Sequence, residues 1–192
     1  MKVLVFGLGS VGMRHAKNLK ALSHHVIAAD PMIWPSPEPD GTVTLFYRDF
    51  ARMLADHADS AQACVIASPT EHHLSQLEAA LEVGMPCYVE KPVCTTAETE
   101  RLRLRIESLP SAALIKSTVG FQYRAHPRAA DVAKLAHTGQ LNFYACDRLL
   151  HKYGPTVGDV MAHPIDTSLR LLGPAVSVNL TSDGVRLAGH IV

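Results

Sequence analysis

The chain has 192 residues, 47% of them hydrophobic, and its 18 basic side chains cancel its 18 acidic ones. That length fits one domain or one and a half, and a chain of this size buries roughly 70% of its unfolded surface. Zero net charge gives no field to draw in phosphate backbones, so no nucleic-acid role is expected; no apolar run reaches the roughly 20 residues of a bilayer span, so no membrane role is expected either.

The run Lys2–Phe6 reads as a first strand, followed by Gly7-Leu8-Gly9-Ser10-Val11-Gly12. Val11–Leu22 then carries Val11, Ala16, Leu19 and Leu22 at helical spacing, with Arg14, Lys17 and Lys20 opposite. Val26–Ala29 is a second strand candidate. Asp30–Gly41 holds four prolines in twelve residues and is a loop. Val43–Phe46, Ala63–Ala67, Pro86–Val89 and Ala112–Val119 read as further strands. His73–Val83 and Thr95–Ser108 read as helices. These strand runs do not alternate with polar residues, which suits a parallel sheet covered on both faces. The expected class is therefore α/β, with a boundary near Val119. Beyond it come a basic helix over Pro127–His137, a strand over Leu141–Leu150 and a helix over Val157–Leu172. A strand over Ala175–Thr181 follows, with hairpin chemistry at Ser182-Asp183-Gly184 before Val185–Val192.

Four cysteines show no CxxC spacing, and two of them, Cys64 and Cys87, lie in strand-like runs. That suits buried reduced thiols in a cytoplasmic protein. The start, MKVLVFGLGS, is too short and glycine-rich for a signal peptide. Most of the eleven histidines are expected at the surface.

The glycine run carries the sharpest chemistry. It follows a strand, opens a helix, and has an acidic residue, Asp30, 18 residues after Gly12 at the end of the next strand. A dinucleotide site needs this context. Gly7 permits the turn, Gly9 lets a pyrophosphate approach the backbone, and Gly12 lets the helix pack on the strand. The helix N-terminus offers N–H groups to phosphate. Asp30 can accept from ribose hydroxyls and repels a 2′-phosphate, so NAD is favoured and NADP, for which Arg14 speaks weakly, is second. Ala67-Ser68-Pro69-Thr70-Glu71-His72-His73 lies at the carboxyl edge of the sheet. There Thr70 has two readings, a cofactor contact or a helix N-cap. Glu90-Lys91-Pro92 sits at the same edge, as a crevice lysine or a surface ion pair. Asp159, His163 and Asp166, at i, i+4 and i+7, share a helical face. They read as an acid–base histidine with its carboxylate, as a metal site, or as a polar stripe. Pro164 kinks or starts that helix.

Taken in order, GxGxxG, SPTxxH, EKP, the Gly120–Pro127 segment GFQYRAHP and DxxxHxxD before LLG resemble the glucose–fructose oxidoreductase, inositol dehydrogenase and MocA family over residues 1 to about 178. The resemblance implies an N-terminal Rossmann domain binding a nicotinamide nucleotide over residues 1–119. It implies a C-terminal α+β domain over residues 120–192 with an open antiparallel sheet, cut down here. The implied activity is NAD(P)-dependent hydride transfer to or from a carbinol or carbonyl carbon of a sugar or cyclitol. The alternative is a non-catalytic nucleotide-binding sensor or partner protein.

Carried across by motif, Lys91, His163 and Asp159 are the expected catalytic residues, with no resident metal. Cofactor contacts are expected from Gly7, Gly9, Ser10, Val11, Gly12, Asp30, Ser68, Pro69, Thr70, His73, Glu90 and Lys91. Substrate contacts are expected from Lys91, Arg124, Asp159 and His163. Family members usually exceed 300 residues, and three strand candidates after the linker leave sheet edges open. A homodimer or higher oligomer through the C-terminal sheet is therefore expected.

Overall fold

A computed structural model describes residues 1–32, 41–109, 116–129, 131, 157–172, 178–182 and 187–191. It divides into two compact units, Met1–Gly120 and Phe121–Val192.

The first unit is built on a six-stranded sheet. Its strands are β1 (Lys2–Phe6), β2 (His25–Ala29), β3 (Leu45–Tyr47), β4 (Ala63–Ile66), β5 (Cys87–Val89) and β6 (Thr118–Val119). The order is β3-β2-β1-β4-β5-β6. Every neighbouring pair is parallel, with Val3 opposite both Val26 and Ala63. This is the doubly wound order in which the chain reverses direction at β1 and β4. The helices are α1 (Ser10–Ala21), α2 (Phe50–His57), α3 (Thr70–Glu82) and α4 (Thr99–Ser108).

The pleat of β1 sorts the core into two layers. Val3 and Val5 pack with Ala16 of α1, while Leu4 and Phe6 pack with Met53 of α2 and Leu77 of α3. The central strands are buried on both sides, as their unbroken apolar runs require.

Some expectations shift. The third strand begins at Leu45 rather than Val43. Within the expected strand Ala112–Val119 only Thr118–Val119 is extended; residues 110–115 lie outside the described part. The helix Phe50–His57 has no counterpart in the sequence reading. Its cue is Asp49, whose carboxylate accepts from the N–H groups of Ala51 and Arg52 at 2.7 and 3.1 Å. Thr95–Ser108 is a 3₁₀ turn, Thr96–Glu98, running into α4.

In the second unit a 3₁₀ turn, Gln122–Ala125, precedes helix α5 (Val157–Leu172). Pro164 does not start that helix, which begins at Val157. Strands β7 (Val178–Ser182) and β8 (Leu187–Ile191) pair antiparallel, Val178 opposite Ile191. The basic helix over 127–137 falls largely outside the described residues. So do the strand over 141–150 and the turn at 183–184.

Candidate functional site

The loops after β1 and β4 meet at the reversal point of the sheet. Gly7 has φ +88°, and a Cβ there would lie 2.7 Å from the backbone N and Cα of Ser68. A side chain at Gly12 would lie 1.9 Å from the carbonyl oxygen of Gly7. Both glycines are thus demanded by the chain itself. Gly9 is different. Its φ of −58° suits any residue, and a Cβ there meets nothing within 4 Å. Gly9 is the N-cap of α1 and supplies no side-chain cap; no acidic residue stands in the first turn. The first N–H groups of α1 therefore face outward at exposed Gly9 and Ser10, where a helix attracts anions.

Asp30 braces this loop. Its carboxylate accepts from Leu8 N–H at 2.8 Å and from Met32 N–H at 2.9 Å, and the residue is only 8% exposed. The expected ribose contact therefore shares this side chain with a structural role.

The loop after β4 is equally committed. Ser68 Oγ donates to Gln76 Oε1 at 2.7 Å. Thr70 is the first residue of α3 and Pro69 its N-cap, which rules out the N-cap reading of Thr70. His73, expected at the cofactor, is 2% exposed, and its ring nitrogens sit 2.7 Å from the carbonyl oxygens of Ser68 and Pro92. Its ring is used between two loops and is not open to a ligand.

After β5, Glu90 and half-buried Lys91 lie at the same edge. Glu90 is partly buried, and its Oε1 lies 2.8 Å from Nε2 of His15 on α1, an ion pair when that ring is protonated. Burial pushes the Glu90 carboxyl up. The hydrogen bond and charge of His15, with the amide and ammonium of Lys91, outweigh burial and hold it below the ordinary value. Burial pushes the Tyr88 hydroxyl up, and the charge of Glu90 and a hydrogen bond to it add to that. The His15 and Tyr88 rings meet edge-on at 5.2 Å. Gly120 closes the cluster, since a Cβ there would come within 2.7 Å of the Tyr88 hydroxyl and 3.1 Å of Glu90 Oε2. Sequence reasoning missed His15 and Tyr88. Residues 15 and 90 stand 75 apart, and no local pattern joins them.

The second unit holds its own cluster. The Arg124 guanidinium is paired with both carboxylate oxygens of Asp166, at 2.9 and 3.0 Å from Nε, and lies 5.0 Å above the Phe121 ring. Asp166 is 7% exposed and raises the pKa of Arg124. The structure thus gives Arg124, expected at substrate, a partner within the chain. His163 of α5 meets Tyr123 edge-on at 5.1 Å and Phe121 at 6.1 Å. The side chain of Asp159 lies outside the described residues. Asp166, one member of the metal reading, is paired with Arg124.

Residues 1–106 match the oxidoreductase family with an NAD-binding Rossmann fold, the glucose–fructose oxidoreductase, inositol dehydrogenase and MocA group. The chain belongs to this family. A myo-inositol dehydrogenase, Hyg17, of Streptomyces leeuwenhoekii is 27% identical over 98% of the chain and 60% of its own length. A UDP-N-acetylglucosamine 3-dehydrogenase of Acidithiobacillus ferrooxidans is 28% identical over 96% of the chain and 58% of its own. The chain thus spans about 60% of the length of these relatives. In fold it matches the WlbA (WbpB) dehydrogenase of Thermus thermophilus, solved with NAD and α-ketoglutarate. That likeness has a TM-score of 0.74 at 21% identity, over all of this chain and 69% of the other.

Proposed function

We propose that the chain is an NAD-dependent oxidoreductase acting on a carbinol or carbonyl carbon of a sugar or cyclitol. The observation that carries this reading is Gly9: a glycine that neither backbone conformation nor packing requires, on an uncapped helix end at the sheet's reversal point. A diphosphate fits that opening, because a Cβ would stand where its oxygens approach the amides. Ser10 and Val11 belong to the same turn, with Ser68, Pro69 and Thr70 across the crevice. The charge of Asp30 favours NAD over NADP. Residues 1–119 form the nucleotide domain and residues 120–192 a substrate and oligomerisation domain with an open antiparallel sheet.

The bound nicotinamide supplies the carbon that takes or gives the hydride. Lys91 donates a hydrogen bond to the substrate oxygen and stabilises it as charge develops there. His163 takes or returns the hydroxyl proton, and Asp159 is its partner. The relatives' names put inositols and nucleotide sugars first among substrates. The protein acts as a homo-oligomer through its C-terminal strands. Free thiols at Cys64, Cys87 and Cys94 suit a reducing cytoplasm. Among the described residues no helix is long and apolar enough to cross a membrane.

The test is nucleotide titration with turnover assays on myo-inositol, scyllo-inositol and UDP-N-acetylglucosamine. Lys91→Ala and His163→Ala are expected to abolish turnover, His163→Ala with NADH affinity nearly unchanged; normal turnover in either removes that residue's role. A second reading is a nucleotide-binding protein without turnover. NADH binding with no turnover on any probe supports it.

A further inference from the structure

His73, expected at the cofactor, is a buried histidine held between two loops. It stands in the first turn of α3 with 2% of its surface exposed. Its Nε2 lies 2.7 Å from the carbonyl oxygen of Ser68, and its Nδ1 lies 2.7 Å from the carbonyl oxygen of Pro92. A main-chain carbonyl only accepts. A ring with one proton would satisfy one oxygen and set a bare nitrogen lone pair against the other. Both contacts are hydrogen bonds only when both nitrogens carry protons. Ser68 lies in the loop after β4, and Pro92 ends the Glu90-Lys91-Pro92 segment after β5.

Lys91 is thereby bracketed. Ahead of it, Glu90 N–H donates to Ile66 O at 2.9 Å and fixes the end of β5 on β4. Behind it, the Pro92 carbonyl is held by the ring. Two anchored peptides leave the backbone of Lys91 little freedom.

We propose that His73 is a positioning residue for Lys91: donating from both ring nitrogens, it clasps the loop after β4 to the loop after β5 and fixes the base from which the Lys91 ammonium reaches. The role given to that ammonium rests on the reading under Proposed function; the clasp itself does not. The clasp gives the histidine of the SPTxxH segment a function away from the ligand. A ring protonated at both nitrogens suits the place, since its two N–H donors point in opposite directions.

Two measurements on the full chain decide it. Long-range proton–nitrogen spectra are expected to show both ring nitrogens of His73 protonated, with slowly exchanging N–H signals; one bare nitrogen overturns the clasp. Reductive ¹³C-methylation, which keeps lysine charge, gives a signal for Lys91, identified by its loss in Lys91→Arg. His73→Gln keeps a donor for one carbonyl and turns an oxygen toward the other. It is expected to shift the Lys91 signal and leave that of Lys2 in place. Leu77→Ala, a core truncation on the same helix, is expected to leave Lys91 where it is. An unmoved Lys91 signal in His73→Gln, or an equal shift in Leu77→Ala, overturns the positioning role. Normal turnover of Lys91→Ala would instead remove the function given to Lys91 and leave the proton count on His73 untouched.

Discussion

Three glycines within six residues carry different physical burdens, and substitution separates them. Gly12→Ala places a Cβ 1.9 Å from a main-chain oxygen, which cannot swing aside as a flexible side chain does. The α1–β1 junction must move, at a cost of about 3 kcal/mol. Gly9→Ala meets open space with an ordinary φ, so its stability should stay within about 0.5 kcal/mol of the parent. Its NADH affinity should nevertheless fall about tenfold or more, equivalent to at least ~1.4 kcal/mol of binding. Chemical denaturation and fluorescence titration of both variants check this. A Gly9→Ala protein that binds NADH as the parent does would detach the dinucleotide from the end of α1.

Among the elements, α1 and β5 are tied by a side-chain contact as well as by apolar packing. His15 on the second turn of α1 holds Glu90 at the end of β5, and Tyr88 and Gly120 wall it in. The carboxyl of Glu90 is harder to protonate in the folded chain than its ordinary value implies. A depressed folded value adds stability above the unfolded carboxylate pKa of about 4.3 and loses it as pH falls through the folded value. Glu90→Gln should thus be less stable than the parent near neutral pH, and the gap should close in acid below about pH 4.3. Urea melts across that range measure it, and a gap that widens in acid would show that the sign is wrong. Little of this tie was legible in the sequence. The strands, α1, α3 and the glycine run were, because apolar periodicity and turn glycines are local signals. The short helix at Phe50 was missed because one N-cap aspartate and a single pair of buried residues, Met53 and Leu54, make a weak pattern. The motif of His73 lies at the sheet edge and so points to a ligand contact, whereas the fold turns its ring between Ser68 and Pro92, which no local pattern encodes.

For the whole molecule, the two ends of the chain differ in how much they can support alone. The first unit has a six-stranded sheet with apolar layers on both faces. Among the described residues the second unit has one two-stranded sheet, β7 with β8. A two-stranded hairpin with nothing packed on it is at best marginal in water, and an open strand edge presents unpaired N–H and C=O groups. The proposed second copy would pair with such an edge or pack on its face. A stable contact of this sort buries about 1,600 Å² in total. Sedimentation equilibrium is therefore expected to give a dimer or larger assembly at high micromolar concentration. Proline at Asn179 or His190, which face each other in the hairpin register, removes an N–H donor from a β7 or β8 strand. Either change should shift the assembly toward monomer while the nucleotide unit keeps its NADH affinity. A parent chain that sediments as a single monomeric species at that concentration would mean that the hairpin is covered from within its own chain, and the proposed oligomer through the C-terminal strands would fall.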